Sequence, residues 1–421
     1  MIETITLQPG VTFYACRDPR FKQGCLTFQL LRPMCREEAG LNALLPTVLL
    51  RGTRSCPDLR SITQRLDSLY GAAVSPLVRR VGDYQTTGLC CGFMDERFAL
   101  PGDAVLEPMI GFLQELLLDS PLKDGAFLPE FVESEKKNLI STIESERNDK
   151  RLYAMSQLLR QMCREDSYGL SRLGEIQQVA AITPRELTEH YRRILQTSPV
   201  QIFYVGSAPA QQVAKLLMPL LEQLERSVEP LPPQTALHAG EPADTSEQMD
   251  VTQGKLCMGF VSPVTTRDPD FAAMQVFNGI FGGGMTSKLF LNVREKRSLC
   301  YFIGSSYYSA KGLVTVCAGI DFDQEQAVRQ EVLAQLEACR EGSITPQELA
   351  AAKEALLSAL RATHDSPGAI ESFYATAALS GLKMDVAAYM QAVQAVELAD
   401  VVRAARNTQL HSSYFLKGES Q

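Results

Sequence analysis

The stretch NGIFGGGMTSKLFLNVREKRSLCYFIGSSY, Asn278 to Tyr307, carries the most information in this 421-residue chain. Just before and within it, Phe271, Met274, Phe277 and Phe281 recur at helical spacing and predict a helix packed on a core. Gly282, Gly283 and Gly284 then read as a turn that other residues could not adopt, with Thr286 or Ser287 as N-cap of the helix that follows. No Gly-Lys-Ser/Thr follows the glycines and no mononucleotide-type strand precedes them, which argues against a phosphate-cradling loop. The second helix carries Arg294, and seven residues later stands Tyr301. A guanidinium offers a rigid multi-donor fork and a phenol a single oriented donor. On spacing alone, an ordinary solvated helix end and a strand surface explain them better than a functional pair does.

A second segment, GLNALLPTVLLRGT, Gly40 to Thr53, reads as helical from Gly40 to Leu50. Together the two segments resemble the pitrilysin/insulinase family of zinc peptidases, which includes the mitochondrial processing peptidase subunits. In active members the first segment runs approximately Gly-x-x-His-x-x-Glu-His-x-x-x-x-Gly-Thr, with two histidines binding zinc and the glutamate activating water. Aligning on Gly40, Gly52 and Thr53 puts Ala43 and Thr47 at the histidine positions and Pro46 at the glutamate position. Alanine has no donor atom, threonine is a poor zinc ligand, and proline cannot accept a proton and strains a helix interior. A shift of register does not help, because the nearest histidine is His190.

The resemblance implies a third zinc ligand, a glutamate on a later helix, here FVESEKKNLISTIESERNDK, Phe131 to Lys150. Glu135 matches the acidic residue that opens the pattern, but the ligand position seven residues on is Thr142. Glu144 and Glu146 point to other helical faces. No metal site is therefore expected in this chain. The second segment, by contrast, matches the family's helix with its arginine and tyrosine, which implies that Arg294 and Tyr301 bind substrate, supported by the loop of Gly282, Gly283 and Gly284.

With 45% hydrophobic residues the chain can bury large cores, and its length suggests two to three domains. A formal charge of -8 with no large Lys/Arg cluster argues against a nucleic-acid groove. The eleven cysteines show no Cys-x-x-Cys spacing and read as reduced, mostly buried thiols. The start lacks a signal-peptide pattern and no apolar run approaches a membrane span, so the cytoplasm is the expected location, without a membrane partner. His190, His238, His364 and His411 stand singly and read as surface or locally bonded residues.

The order of elements repeats once around a proline-rich break. It gives an N-terminal domain over 1–226, a linker over 227–249 and a C-terminal domain over 250–421. Predicted helices include Pro57 to Tyr70, Leu128 to Cys163 and Ser287 to Glu295, and each half ends on a strand, QIFYVGS or SSYFLKG. The expected fold class is α+β: two homologous domains, each an antiparallel sheet covered by helices on one face. The resemblance implies a metallopeptidase clamshell half of the LuxS/processing-peptidase type.

Function follows from one half-site kept and the other lost. The resemblance implies a catalytically inactive accessory subunit that binds peptide substrate and pairs with a zinc-bearing homologous subunit as a heterodimer, zinc being expected only in that partner. A homodimer is the other possible assembly. A binding scaffold with no role in cleavage is the alternative, and a peptidase active alone, with unrecognised ligands, a third.

Overall fold

A computed structural model describes residues 2–418. Strands β1 Ile2–Gln8 and β2 Val11–Arg17 turn about Gly10, whose φ of +72° favours glycine. Strand β3 Gln23–Pro33 leads into helices α1 Arg36–Leu49 and α2 Leu59–Ser68, the second opened by a capping box between Asp58 and Ser61. A hairpin of β4 Ala73–Val81 and β5 Tyr84–Met94 follows, then α3 Leu106–Leu118 and the short strands β6 Leu122–Lys123 and β7 Ala126–Phe127. The first half ends with α4 Pro129–Asn148, α5 Lys150–Met162, α6 Ile176–Ala181, α7 Pro184–Thr197, β8 Val200–Gly206 and α8 Ala210–Glu222.

The second half begins with β9 Asp244–Gln248, β10 Gly254–Val261 and α9 Phe271–Phe281. A π-helical segment Leu289–Lys296 precedes β11 Phe302–Tyr308 and β12 Leu313–Ile320. Helices α10 Glu325–Arg340, α11 Pro346–Ala362, α12 Pro367–Ser380, α13 Val386–Ala395 and α14 Leu398–Arg406 lead to β13 Gln409–Lys417.

Three local expectations are corrected. The single helix from Leu128 to Cys163 is two, because the Asp149 carboxylate accepts from Arg151 N and Leu152 N at 2.9 and 3.1 Å and starts α5 afresh. The region read as linker ends in strand β9, which pairs in parallel with β13. The helix expected over Ser287 to Glu295 has π-helical hydrogen bonding from Leu289 to Lys296.

The duplication shows in the sheets. The first is ordered β1-β2-β8-β3-β5-β4 and the second β11-β12-β10-β13-β9. With β1 set aside, both place their third, fourth, second, fifth and first strands side by side. In each, the first and fifth strands (β2 with β8, β9 with β13) are parallel while the other pairs are antiparallel.

Two compact units result. One comprises the chain through Glu144 with Leu170–Pro233 and His364–Thr376; the other comprises Ser145–Gly169, Gln234–Thr363 and the chain from Ala377. Each half thus gives one helical stretch to the other unit, an exchange that the sequence-based division at 227–249 did not contain. In the first unit, Leu26, Phe28 and Leu30 of β3 meet Leu44 and Val48 of α1, Phe112 of α3 and Leu217 of α8 in the main core. On the opposite face of β3, the early part of α12 lays Ile370 and Tyr374 against Cys25. In the second unit, Ala154, Leu158 and Met162 of α5 pack on Cys257, Cys317 and Tyr414. The exchanged helices therefore cover the second face of each sheet, beyond the one covered face expected.

Candidate functional site

Helix α1 holds the positions of the first motif. Ala43 is 4% exposed, Pro46 is buried, and Thr47 is half-buried with its Oγ1 donating to Leu44 O at 2.8 Å. Pro46 has no N–H to offer the Asn42 carbonyl one turn back, and that carbonyl instead accepts from Thr87 Oγ1 of β5 at 2.7 Å. On α4, Thr142 is exposed and donates to Asn138 O at 2.9 Å. Glu135 is buried and accepts from Arg51 Nη1 at 3.4 Å and Asn138 Nδ2 at 3.1 Å. The donor set does not fit zinc: a methyl, a pyrrolidine ring and two hydroxyls already bonded to backbone carbonyls cannot hold the ion. Among the described residues, no group of three or more His, Cys, Asp or Glu could hold a metal.

A buried polar network lies beside the motif instead, and sequence reading missed it. Asn42 Nδ2 donates to Gln85 Oε1 at 2.9 Å, while His190 Nε2 lies 2.8 Å from Asn42 Oδ1. Arg193 Nη2 lies 2.9 Å from His190 Nδ1, so a neutral ring protonated on Nε2 satisfies both neighbours. Burial lowers His190 to about 4, against the opposing pull of Glu38. Burial pushes Glu38 up, yet hydrogen bonds from Arg32 and Arg193 win and hold it at about 2. The nearest histidine to the motif is thus tied into the structure. Its only sequence signal was its place on the apolar face of α7.

The second unit brings Arg294 and Tyr301 together. Both line an open cleft of about 420 Å³ with Glu295, Ser298, Leu299, Cys300 and Asp321. The Arg294 guanidinium stacks 4.8 Å over the Phe290 ring and pairs with Glu295 at 3.3 Å. Ser298 takes the left-handed conformation, φ +53°, where the π-helical segment ends, and so turns the chain between the two residues. Tyr301 is 58% exposed and donates to Asp321 Oδ1 at 3.0 Å. That carboxylate raises the phenol above its usual pKa and keeps it protonated. Asp321 and Phe290, which hold the two side chains, carried no sequence signal.

The three glycines line a different cleft, of about 560 Å³, together with Arg151, Leu152, Phe290, Thr315 and Cys317. Their expected conformational role is corrected. Gly282 has φ -155°, and neither Gly283 nor Gly284 has positive φ. Space is the reason at two of them: a Cβ would lie 2.7 Å from Ser305 Oγ at Gly282 and 3.0 Å from Asn278 O at Gly283, whereas Gly284 is open. Close approach lets Ser305 N of β11 donate to Gly282 O at 2.8 Å. Ser287 does cap, its Oγ accepting from Phe290 N at 3.3 Å.

Comparison with known proteins bears on the family and the fold. Residues 181–356 match the family model described as "Peptidase M16 inactive domain". A Bacillus subtilis protein named "Probable inactive metalloprotease YmfF" is 31% identical over 97% of this chain and 96% of its own length. The crystal structure of a conserved protein from Enterococcus faecalis superposes with a TM-score of 0.91 at 26% identity, covering 100% of this chain and 99% of that one. The crystal structure of a peptidase M16 inactive domain from Pseudomonas fluorescens shares the fold, with a TM-score of 0.82 at 16% identity over 100% and 98% of the two chains. With full-length similarity on one side and a motif stripped of zinc donors on the other, the chain belongs to the M16 peptidase family as an inactive homologue.

Proposed function

We propose that the chain is the accessory, substrate-binding subunit of a two-chain peptide-processing metallopeptidase and pairs with a zinc-bearing homologue. The observation that carries this reading is the asymmetry between the two units. Ala43, Pro46, Thr47 and Thr142 offer nothing to zinc, while Arg294 and Tyr301 line one open cleft. In the assembled pair the partner supplies zinc. Arg294 grips backbone carbonyls of a bound peptide, and Tyr301 donates to the oxyanion that develops on cleavage. For that donation the phenol must leave Asp321, a rotation open to an exposed side chain. None of the described helices is long and apolar enough to cross a membrane, and the cytoplasm is the setting we propose.

One observation favours a second reading, a scaffold that holds peptide or protein without cleavage. Arg294 and Tyr301 already have acidic partners, Glu295 and Asp321. Tagged chain passed through an extract of its own cells separates the two. The accessory reading predicts retention of a similar-sized homologue with an intact His-x-x-Glu-His; retention of none moves the assignment to the scaffold.

A further inference from the structure

Cys317 lines the 560 Å³ cleft of the second unit and has a second thiol, Cys257, beside it. Cys257 of β10 and Cys317 of β12 are direct cross-strand partners, and Cys257 Sγ lies 3.4 Å from Cys317 Sγ. The phase of the ladder decides what they can do. Ser262 N donates to Gly312 O at 2.8 Å, which makes those two a hydrogen-bonded pair, and no register shift interrupts the β10–β12 pairing. An odd number of positions along, Cys257 and Cys317 therefore form a non-hydrogen-bonded pair, in which side chains approach most closely and Cα atoms fall within a disulfide's reach.

The two sulfurs are not equivalent. Cys317 lines the cleft and Cys257 is fully buried behind it. Donation from Cys257, with Arg151 and Lys255 nearby, lowers Cys317 below the usual thiol value, whereas Cys257 is pushed up. Thr315, two residues from Cys317 on the same strand, lines the same cleft, and its buried Oγ1 has no hydrogen-bond partner. Cys25 and Cys90, on the equivalent strands β3 and β5, are 3.9 Å apart but diagonal, since Cys25 faces Gly92 and Cys90 faces Thr27.

We propose that Cys317 and Cys257 are a redox-active dithiol oxidised by a hydroperoxide. The Cys317 thiolate attacks a peroxide oxygen, the O–O bond breaks, and the departing hydroxide or alkoxide takes a proton, leaving a sulfenic acid on Cys317. The Cys257 sulfur then attacks that sulfur; the S–S bond forms, the S–O bond breaks, and the hydroxyl leaves as water with the Cys257 proton. The two sulfurs together lose two electrons and the peroxide gains two.

Full-length reduced protein treated with hydrogen peroxide tests this, by thiol titration in denaturant and peptide mapping. The expected result is loss of two of the eleven thiols, a Cys257–Cys317 cross-link as the first product, and reversal by dithiothreitol. Cys257→Ser should instead trap a dimedone-reactive sulfenic acid on Cys317. Retention of all eleven thiols, or a first cross-link elsewhere such as Cys25–Cys90, would overturn the proposal. The wild-type map decides the matter if the serine variant does not fold.

Discussion

Thr87 Oγ1 donates at 2.7 Å to the backbone carbonyl of Asn42, the helical acceptor that Pro46 leaves unserved. A residue that abolishes the glutamate of the peptidase motif is thereby built into the sheet beneath α1. Thr87→Val should lower stability to urea by about 1–3 kcal/mol, the cost of a buried unsatisfied acceptor. The loss should shrink in a Pro46→Ala background, where the restored N–H takes over the carbonyl. Equal losses in both backgrounds would show that Thr87 does not compensate for Pro46.

His190 sets a pH dependence of known sign. Its folded value, about 4, lies below the ordinary 6.5, so the unfolded chain binds a proton first on acidification. Stability is fully present above about 6.5 and falls progressively toward about 4, by on the order of 3 kcal/mol. Glu38 acts in a lower window: its contribution is present above the ordinary 4.5 and is lost as pH falls toward about 2. Denaturant titrations at stepped pH should show His190→Gln flattening the upper window alone.

Arg294→Ala combined with Tyr301→Phe should leave folding intact and reduce turnover by the assembled pair by about 100- to 1000-fold, the range for a lost oxyanion donor. Steady-state kinetics with a competent partner measure it. Unchanged turnover would remove both residues from the site.

Rebuilding the first motif with Ala43→His, Pro46→Glu and Thr47→His should not create a peptidase. Thr142 still leaves the third carboxylate absent, and its hydroxyl is committed to Asn138 O. Chelator-sensitive cleavage by that variant alone would overturn the alignment of α4.

Local pattern made much of this legible. Phe271, Met274, Phe277 and Phe281 all lie in the core, at 3% exposure or less, as their spacing requires. The repeat of elements foretold a sheet in each half, but not the parallel pairs β2–β8 and β9–β13 within sheets expected to be antiparallel. What local pattern does not encode is long-range placement. The helix break at Asp149 turns on one side chain, and β9 has its edge position only because β13 lies beside it. Glu371, on the exchanged stretch of α12, joins the first unit by bonds to Thr27, Gln29 and Arg79, hundreds of residues away in sequence. At the candidate site the sequence marked Arg294 and Tyr301 but not Asp321, because an aspartate at a strand end looks like any turn residue.

The most direct test is cleavage itself. Tagged chain alone, and the fraction it retains from its own cells, should be assayed on mixed peptides with and without chelator. The account predicts chelator-sensitive cleavage in the retained fraction only, carried by a homologue with an intact His-x-x-Glu-His. Chelator-sensitive cleavage by the purified chain alone, with stoichiometric zinc bound, would contradict it.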